Sequence, residues 1–235
     1  MLPLFYFDKE NEGRDPITLD EDASRHIVQV LRMKKSERLQ LTDGKGRILT
    51  AAIVDDHKKK VVVKVQESSY KEQGGRMITI AISLLKNANR FEWFLEKATE
   101  IGISEIIPMT CERTERQHFR MDRMQNILVS AMLQSQQCWM PQLRKPVPFV
   151  QVVESATQPQ KFIAHCIEEE KRNLANFMNG SLQEQIMLVG PEGDFTQQEV
   201  RMAIDHHFIA VGLGENRLRA ETAGVVAATL MKLNS

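Results

Sequence analysis

The chain has 235 residues, with 31 Lys and Arg against 31 Asp and Glu, so its formal charge at neutral pH is zero. Hydrophobic residues at 42% and charged residues at 26% match an ordinary globular chain and exclude wholesale disorder. No apolar run reaches the ~18 residues of a membrane helix, and the longest candidate, 77–85, is broken by Thr79 and Ser83. The first eight residues lack the basic segment and small-residue cleavage site of a signal peptide. The three cysteines (Cys111, Cys138 and Cys166) are far apart and outline neither a disulfide framework nor a zinc ribbon. A reducing, cytoplasmic setting with no membrane and no metal is expected.

In chain order, the first seventy residues read as β. Val28 to Leu31 starts it, followed by Arg38 to Thr42, the turn Asp43-Gly44-Lys45-Gly46, Arg47 to Val54, a polar turn at 55–58, and Val61 to Val65. Short strands joined by tight turns predict a small barrel or sandwich, and the polar stretch 68–75 reads as a linker. Beyond it, Ile78 to Leu85 reads as a strand buried on both faces. Phe91, Phe94, Leu95, Ala98 and Ile101 share one helical face, with Gly102 just past the helix end. Ile106-Ile107 reads as a strand stopped by Pro108, Met121 to Gln137 as a helix, Lys161 to Cys166 as a strand and Glu168 to Met178 as a helix. The chain closes with strand Ile186 to Val189, helix Thr196 to His206, strand Phe208 to Val211 and helix Arg219 to Leu233. Alternating strands and helices predict an α/β domain with a mostly parallel sheet. Two domains are expected, residues 1–73 and 74–235.

Ligands of open α/β sheets bind outside the carboxyl ends of the strands. The turn after the first strand of this domain, residues 86–90, contains no glycine. The glycine turns come late instead, at Gly190-Pro191-Glu192-Gly193 and Gly212-Leu213-Gly214. An ordinary dinucleotide site is therefore not expected, and a ligand site built late in the chain is. Gly190 and Gly193 are read as positions able to take positive φ and admit a ligand to the backbone, with Pro191 stiffening the turn. Thr196 and Glu199 form a capping box. In the last helix Glu221 falls in the first turn, while Ala220, Ala223, Gly224, Ala227 and Ala228 permit close approach, either to a ligand or to another helix.

These residues carry a resemblance. Gly190-Pro191-Glu192-Gly193, Leu213-Gly214 and Leu218-Arg219-Ala220-Glu221-Thr222-Ala223 resemble the three late motifs of the SPOUT methyltransferases. More narrowly, they resemble the bacterial ribosomal RNA small-subunit methyltransferase E family, which methylates N3 of a uridine in 16S ribosomal RNA. The likeness spans nearly the whole chain, through His26 with Val30-Leu31-Arg32, Lys86, Arg90, Glu92, residues 97–102, Glu112-Arg113-Thr114, and Gln134-Ser135 with Pro141. Two positions depart from the family pattern: Asp194 stands where a second glycine is usual, and Gln136-Gln137 where Gly-Arg is common.

The resemblance implies a PUA-like β-barrel followed by an α/β domain ending in a trefoil knot. It also implies S-adenosylmethionine (SAM) as methyl donor, small-subunit ribosomal RNA in a 30S particle as substrate, and a homodimer formed through the knotted domain. The implied cofactor site comprises Leu188, Val189, Gly190, Pro191, Glu192, Gly193, Leu213, Gly214, Leu218, Arg219, Glu221, Thr222 and Ala223. Stabilising charge on the uracil carbonyls suits arginine, so Arg219 and Arg217 are the first catalytic candidates, followed by Arg90 and Arg113. Glu192 either accepts a proton, orients an arginine or bonds backbone amides of its own loop. RNA contact is expected from His26, Arg32, Lys34, Lys35, Arg38, Lys45 and Arg47 in the barrel and from Arg113. Trp93 and Trp139 are able to stack on bases, although the spacing of Trp93 points to the core. Two alternatives stay open: a non-catalytic RNA-binding assembly factor, and a methyltransferase of this fold acting on a ribose hydroxyl or transfer RNA.

Overall fold

The computed structural model describes residues 2–8, 13, 15–115, 118–167, 171–177 and 184–233. The chain divides into two compact units, Met1–Gln73 with Met132–Met140, and Gly74–Ala131 with Pro141–Ser235. The sequence division differs in leaving Met132–Met140 with the second unit.

The first unit holds β1 (Leu4–Tyr6), β2 (Ile17–Thr18), α1 (Glu21–Arg25), β3 (Arg38–Thr42), β4 (Arg47–Asp55) and β5 (Val62–Tyr70). They form one five-stranded sheet in the order β1-β3-β4-β5-β2. Alternate residues of the strands (Leu39, Leu41, Ala51, Ile53, Val63) turn inward onto Phe5, Ile17 and Ile27. The expected strand at Val28–Leu31 is instead a turn of π-helix, His26–Val30, continuing α1. Ile27 alone of that turn is buried, so a single inward residue replaces the alternation a strand would need. β5 extends to Tyr70, into the expected linker. Met132–Met140 joins this unit because Gly46 N–H donates to the Cys138 carbonyl at 2.8 Å and Met140 N–H to the Gly44 carbonyl at 2.9 Å.

The second unit runs β6 (Met77–Ser83), α2 (Ala88–Ile101), β7 (Glu105–Thr110), α3 (Met121–Gln134), β8 (Gln142–Leu143), β9 (Val147–Pro148), α4 (Phe149–Ser155), β10 (Gln160–Ala164), β11 (Arg172–Asn173), β12 (Glu184–Val189), α5 (Gln197–Asp205), β13 (Ile209–Gly212) and α6 (Ala220–Leu233). Its sheet has the order β11-β13-β10-β12-β6-β7-β8, with β9 also on β7, and every pairing is parallel. β6 lies centrally, buried from Ile78 to Ser83, as its continuous apolar run requires. Asn87 caps α2 by accepting the Asn89 N–H, and Gly102 ends it at φ +84°. Thr196 and Glu199 close the capping box of α5.

Three expectations are corrected. Pro108 does not stop β7, which runs to Thr110 with Pro108 opposite Ile82 of β6. The expected helix at Glu168 to Met178 is, over 171–177, strand β11 followed by a 3-10 turn at Leu174–Phe177; residues 168–170 and 178–180 lie outside the described residues. α3 stops at Gln134, because Gln136 takes φ +55°. The helix α4 has no counterpart in the sequence reading.

Candidate active site

The carboxyl ends of β10 and β12 and the segment entering α6 surround a cleft of about 340 Å³. Val189, Gly190, Pro191 and Glu192 line it from β12, and Arg217, Leu218, Arg219, Ala220 and Ala223 from the opposite side. Ala164, Cys166 and Asp194 complete the wall. Ala164 and Cys166 escape the sequence reading, although they end a strand that it places. The rule that α/β ligands sit at carboxyl ends was the signal that could have found them.

The remaining implied cofactor residues lie elsewhere. Leu188 is fully buried in the apolar cluster around Phe195. Gly193 faces Arg113, Leu213 is half-buried, and Gly214 is exposed at φ +134°. Glu221 and Thr222 line a neighbouring hollow with Asn89, Arg90, Trp93 and Arg219. Trp93 is thus 42% exposed and not a core residue, contrary to its helical spacing. The small residues of α6 divide by role. Ala220 and Ala223 face the cleft, whereas Gly224 meets the Phe94 ring, 2.6 Å from where a Cβ would lie, and Ala227 and Ala228 are fully buried.

The loop at 190–194 corrects the expectation for its glycines. Neither Gly190 nor Gly193 takes positive φ; the left-handed residue is Asp194, at +63°. Aspartate tolerates that region better than most residues, because its short side chain bonds nearby backbone. Asp194 N–H closes a turn onto the Pro191 carbonyl at 2.9 Å. Its Oδ2 accepts the Cys166 N–H at 2.8 Å, joining the ends of β12 and β10. Gly190 leaves little room for a side chain: an added Cβ would lie 3.1 Å from the Phe195 ring.

Further bonds brace the same loop. Glu192 Oε1 accepts the Lys86 N–H at 3.1 Å, so its bond is to a backbone amide outside its own loop. Arg113 donates to the Gly193 carbonyl at 2.7 Å. Lys86 Nζ pairs with Glu115 at 2.8 Å, which raises the lysine pKa. Cys111, beneath these loops, has its thiol pushed up to about 12, chiefly by burial.

In the first unit, Arg32 and Arg38 line an open groove of about 800 Å³ with Leu31 and Met33, while Lys34 and Lys35 are exposed. Arg47 Nε lies 3.9 Å from Asp43 Oδ2, and the Lys45 N–H donates to Asp43 Oδ1. His26 sits edge-on to Phe5 at 5.9 Å. Trp139 donates Nε1–H to the Lys71 carbonyl at 2.8 Å, a packing role against Gly46. Among the described residues, no cluster of His, Cys, Asp or Glu could hold a metal, and no helix is long and apolar enough to cross a membrane.

Comparison with known proteins agrees with this layout. Residues 72–232 match the model of an RNA methyltransferase domain and residues 19–66 that of an RNA methyltransferase PUA domain. A ribosomal RNA small subunit methyltransferase E from Synechocystis is 30% identical over 216 residues, covering 90% of this chain and 71% of that protein. A solved structure from Porphyromonas gingivalis, described as a probable rRNA-methyltransferase, superposes with a TM-score of 0.90 at 35% identity, covering 99% of both chains. The ribosomal RNA small subunit methyltransferase E of Neisseria gonorrhoeae, solved bound to S-adenosyl methionine, superposes with a TM-score of 0.86 at 28% identity, covering 99% of this chain and 98% of that one. The chain belongs to the ribosomal RNA small-subunit methyltransferase E family of RNA methyltransferases, a PUA domain followed by a parallel α/β methyltransferase domain.

Proposed function

We propose that this protein transfers the methyl group of SAM to N3 of a uridine in small-subunit ribosomal RNA. The observation that carries this reading is the cleft at the carboxyl ends of β10 and β12, bordered by Arg217 and Arg219 at the entry to α6. Its volume falls within the ~300–1,000 Å³ typical of small-molecule sites, and it presents backbone groups, apolar faces and both charge signs. The residues present therefore fit an adenosine bearing a charged amino-acid tail. Val189, Gly190, Pro191, Leu218 and Ala223 would hold it.

SAM, when bound, supplies an electrophilic methyl on a sulfonium. The chain must bring the uridine nitrogen in line, take its proton and stabilise charge on the flanking carbonyls. Arg219 and Arg217 are exposed and present planar forks of guanidinium donors, which suits the last task. Glu192 and Arg113, committed to backbone partners, hold the loop in shape instead.

RNA would first meet the barrel unit, residues 1–73, where Arg32, Lys34, Lys35 and Arg38 gather and Lys45 and Arg47 border a second turn; the methyltransferase unit spans 74–235. We place the enzyme in the cytoplasm as a homodimer paired through a knotted α/β domain, acting on the 30S particle without metal. The test is to supply tritiated SAM with small-subunit ribosomal RNA and map the label by nuclease digestion. Label at uracil N3 supports the reading; label on a ribose hydroxyl, or none with SAM bound, overturns it.

A further inference from the structure

The starts of α2 and α6 converge on the second hollow, of about 370 Å³, which shares Arg219 with the cofactor cleft. Two of its residues are unusual for their positions. Trp93 is 42% exposed on a helix whose other aromatics, Phe91 and Phe94, are buried. Glu221 is the reverse, a carboxylate with only 9% of its side chain exposed. Its Oε1 meets Arg90 Nε at 3.6 Å, an ion pair too long for a hydrogen bond, and its buried Oε2 has no hydrogen-bond partner among the described residues. A buried carboxylate short of donors is costly, and a ligand N–H brought to the part of Glu221 that lines the hollow lowers that cost. Arg90 likewise keeps unused donors, as a ligand carbonyl would require.

We propose that this hollow receives the target base: a pyrimidine imide lies on Trp93, its ring N–H directed at Glu221 and its carbonyl oxygens at Arg90 and Arg219. The inference rests on the reading of the reaction as N3 methylation. The edge of uracil runs acceptor, donor, acceptor, and the hollow offers donor, acceptor, donor. Cytosine carries a lone pair at N3 and would set it against the Glu221 carboxylate. An indole face gives a base a stacking platform beside these polar groups. In the transfer, the N3 proton first passes to the Glu221 carboxylate, leaving the electron pair of the broken N–H bond on N3, and that pair then bonds to the methyl carbon. The carbon–sulfur bond breaks, its electrons remain on sulfur and neutralise the sulfonium, and Glu221 then releases the proton to water. The shared Arg219 puts the acceptor next to the cleft that holds the donor.

The test uses the full chain saturated with the demethylated product, S-adenosylhomocysteine, so that no turnover occurs. Uridine monophosphate should quench Trp93 fluorescence saturably, cytidine monophosphate should bind at least about tenfold more weakly, and the signal should vanish in Trp93→Phe. Glu221→Gln should erase this preference while keeping S-adenosylhomocysteine affinity within about twofold, since it removes only the proposed acceptor charge. Its methyl transfer should fall by about a hundredfold at neutral pH and recover with rising pH, as the base arrives already ionised. The wild-type comparison needs no variant, so it stands even where Glu221→Gln does not fold. Absence of quenching, equal quenching by both nucleotides, or a Glu221→Gln deficit that ignores pH overturns the proposal. So does a Trp93→Ala variant that turns a dimer into a monomer with nucleotide binding unchanged, since the hollow then belongs to a second copy. A wild-type product methylated away from N3 overturns the reaction reading as well, whereas an N3 product with any of these failures overturns only the role of the hollow.

Discussion

The bend at 190–194, which lines the cleft, and the segment 213–218, of which Arg217 and Leu218 line it, are built on opposite plans. The bend at 190–194 is tied on three sides: Asp194 to Cys166, Glu192 to Lys86, and Arg113 to Gly193. Among the described residues, no hydrogen bond or ion pair holds the side chains of 213–218, and Gly214, Glu215, Asn216 and Arg217 are all exposed. The contrast suits a division of labour. On the proposed reading, a braced bend would present a preformed wall to the cofactor, which lowers the ordering cost of binding. An untied one would, on the same reading, leave Arg217 at liberty to meet a polymeric substrate.

The comparison breaks first at Arg219. Arg219→Ala should lower methyl transfer by about a hundredfold or more, the usual cost of losing one donor to developing charge. The exposed side chain leaves melting unchanged, and incorporation of labelled SAM measures the loss. Next is Gly190→Val. Its branched side chain must displace the Phe195 ring, costing about 1–3 kcal/mol of stability as overpacking does. A melting curve should show that drop together with lost SAM binding by calorimetry.

Asp194 sharpens the contrast further. Asp194→Ala should weaken SAM about tenfold, the scale of one charge-assisted hydrogen bond, while Asp194→Asn, which keeps an acceptor, stays close to wild type. Asp194→Gly should weaken SAM as alanine does yet hold its melting temperature, because glycine adopts φ +63° freely. In the barrel, Arg32→Ala or Arg38→Ala should weaken RNA binding and flatten its salt dependence by about 0.7 log units per log of salt for each phosphate left unneutralised. Filter binding across salt concentrations reads this. The smallest effect concerns thiols: iodoacetamide should label exposed Cys166, more slowly when SAM fills the cleft. Cys111 stays unlabelled, since burial holds its thiol near 12.

The elements that frame the candidate site were legible because their signals are local. Glycine and proline mark bends, Thr196 and Glu199 mark a helix start, and the apolar run in β6 marks a central strand. The misreadings share a cause as well. Val28–Leu31 and Trp93 were read from spacing alone, and spacing does not tell which neighbour covers a face. Asp194 and Gln136, which stand where the resemblance implies glycines, both take left-handed backbone, at φ +63° and +55°. Asp194 offsets its strain with a bond to the end of another strand that no local pattern displays.

The order of residues by itself determined the parallel α/β class, the late position of the glycine bends and the family. Each follows from periodicity or from short motifs in which interacting residues are near neighbours along the chain. Only the tertiary structure decided that Met132–Met140 belongs with the barrel, that Asp194 fastens β12 to β10, and that Glu221 is buried beside Arg90 and the exposed Trp93. Those facts join residues from 28 to more than 100 positions apart, and only folding brings such partners within hydrogen-bonding or ion-pairing reach.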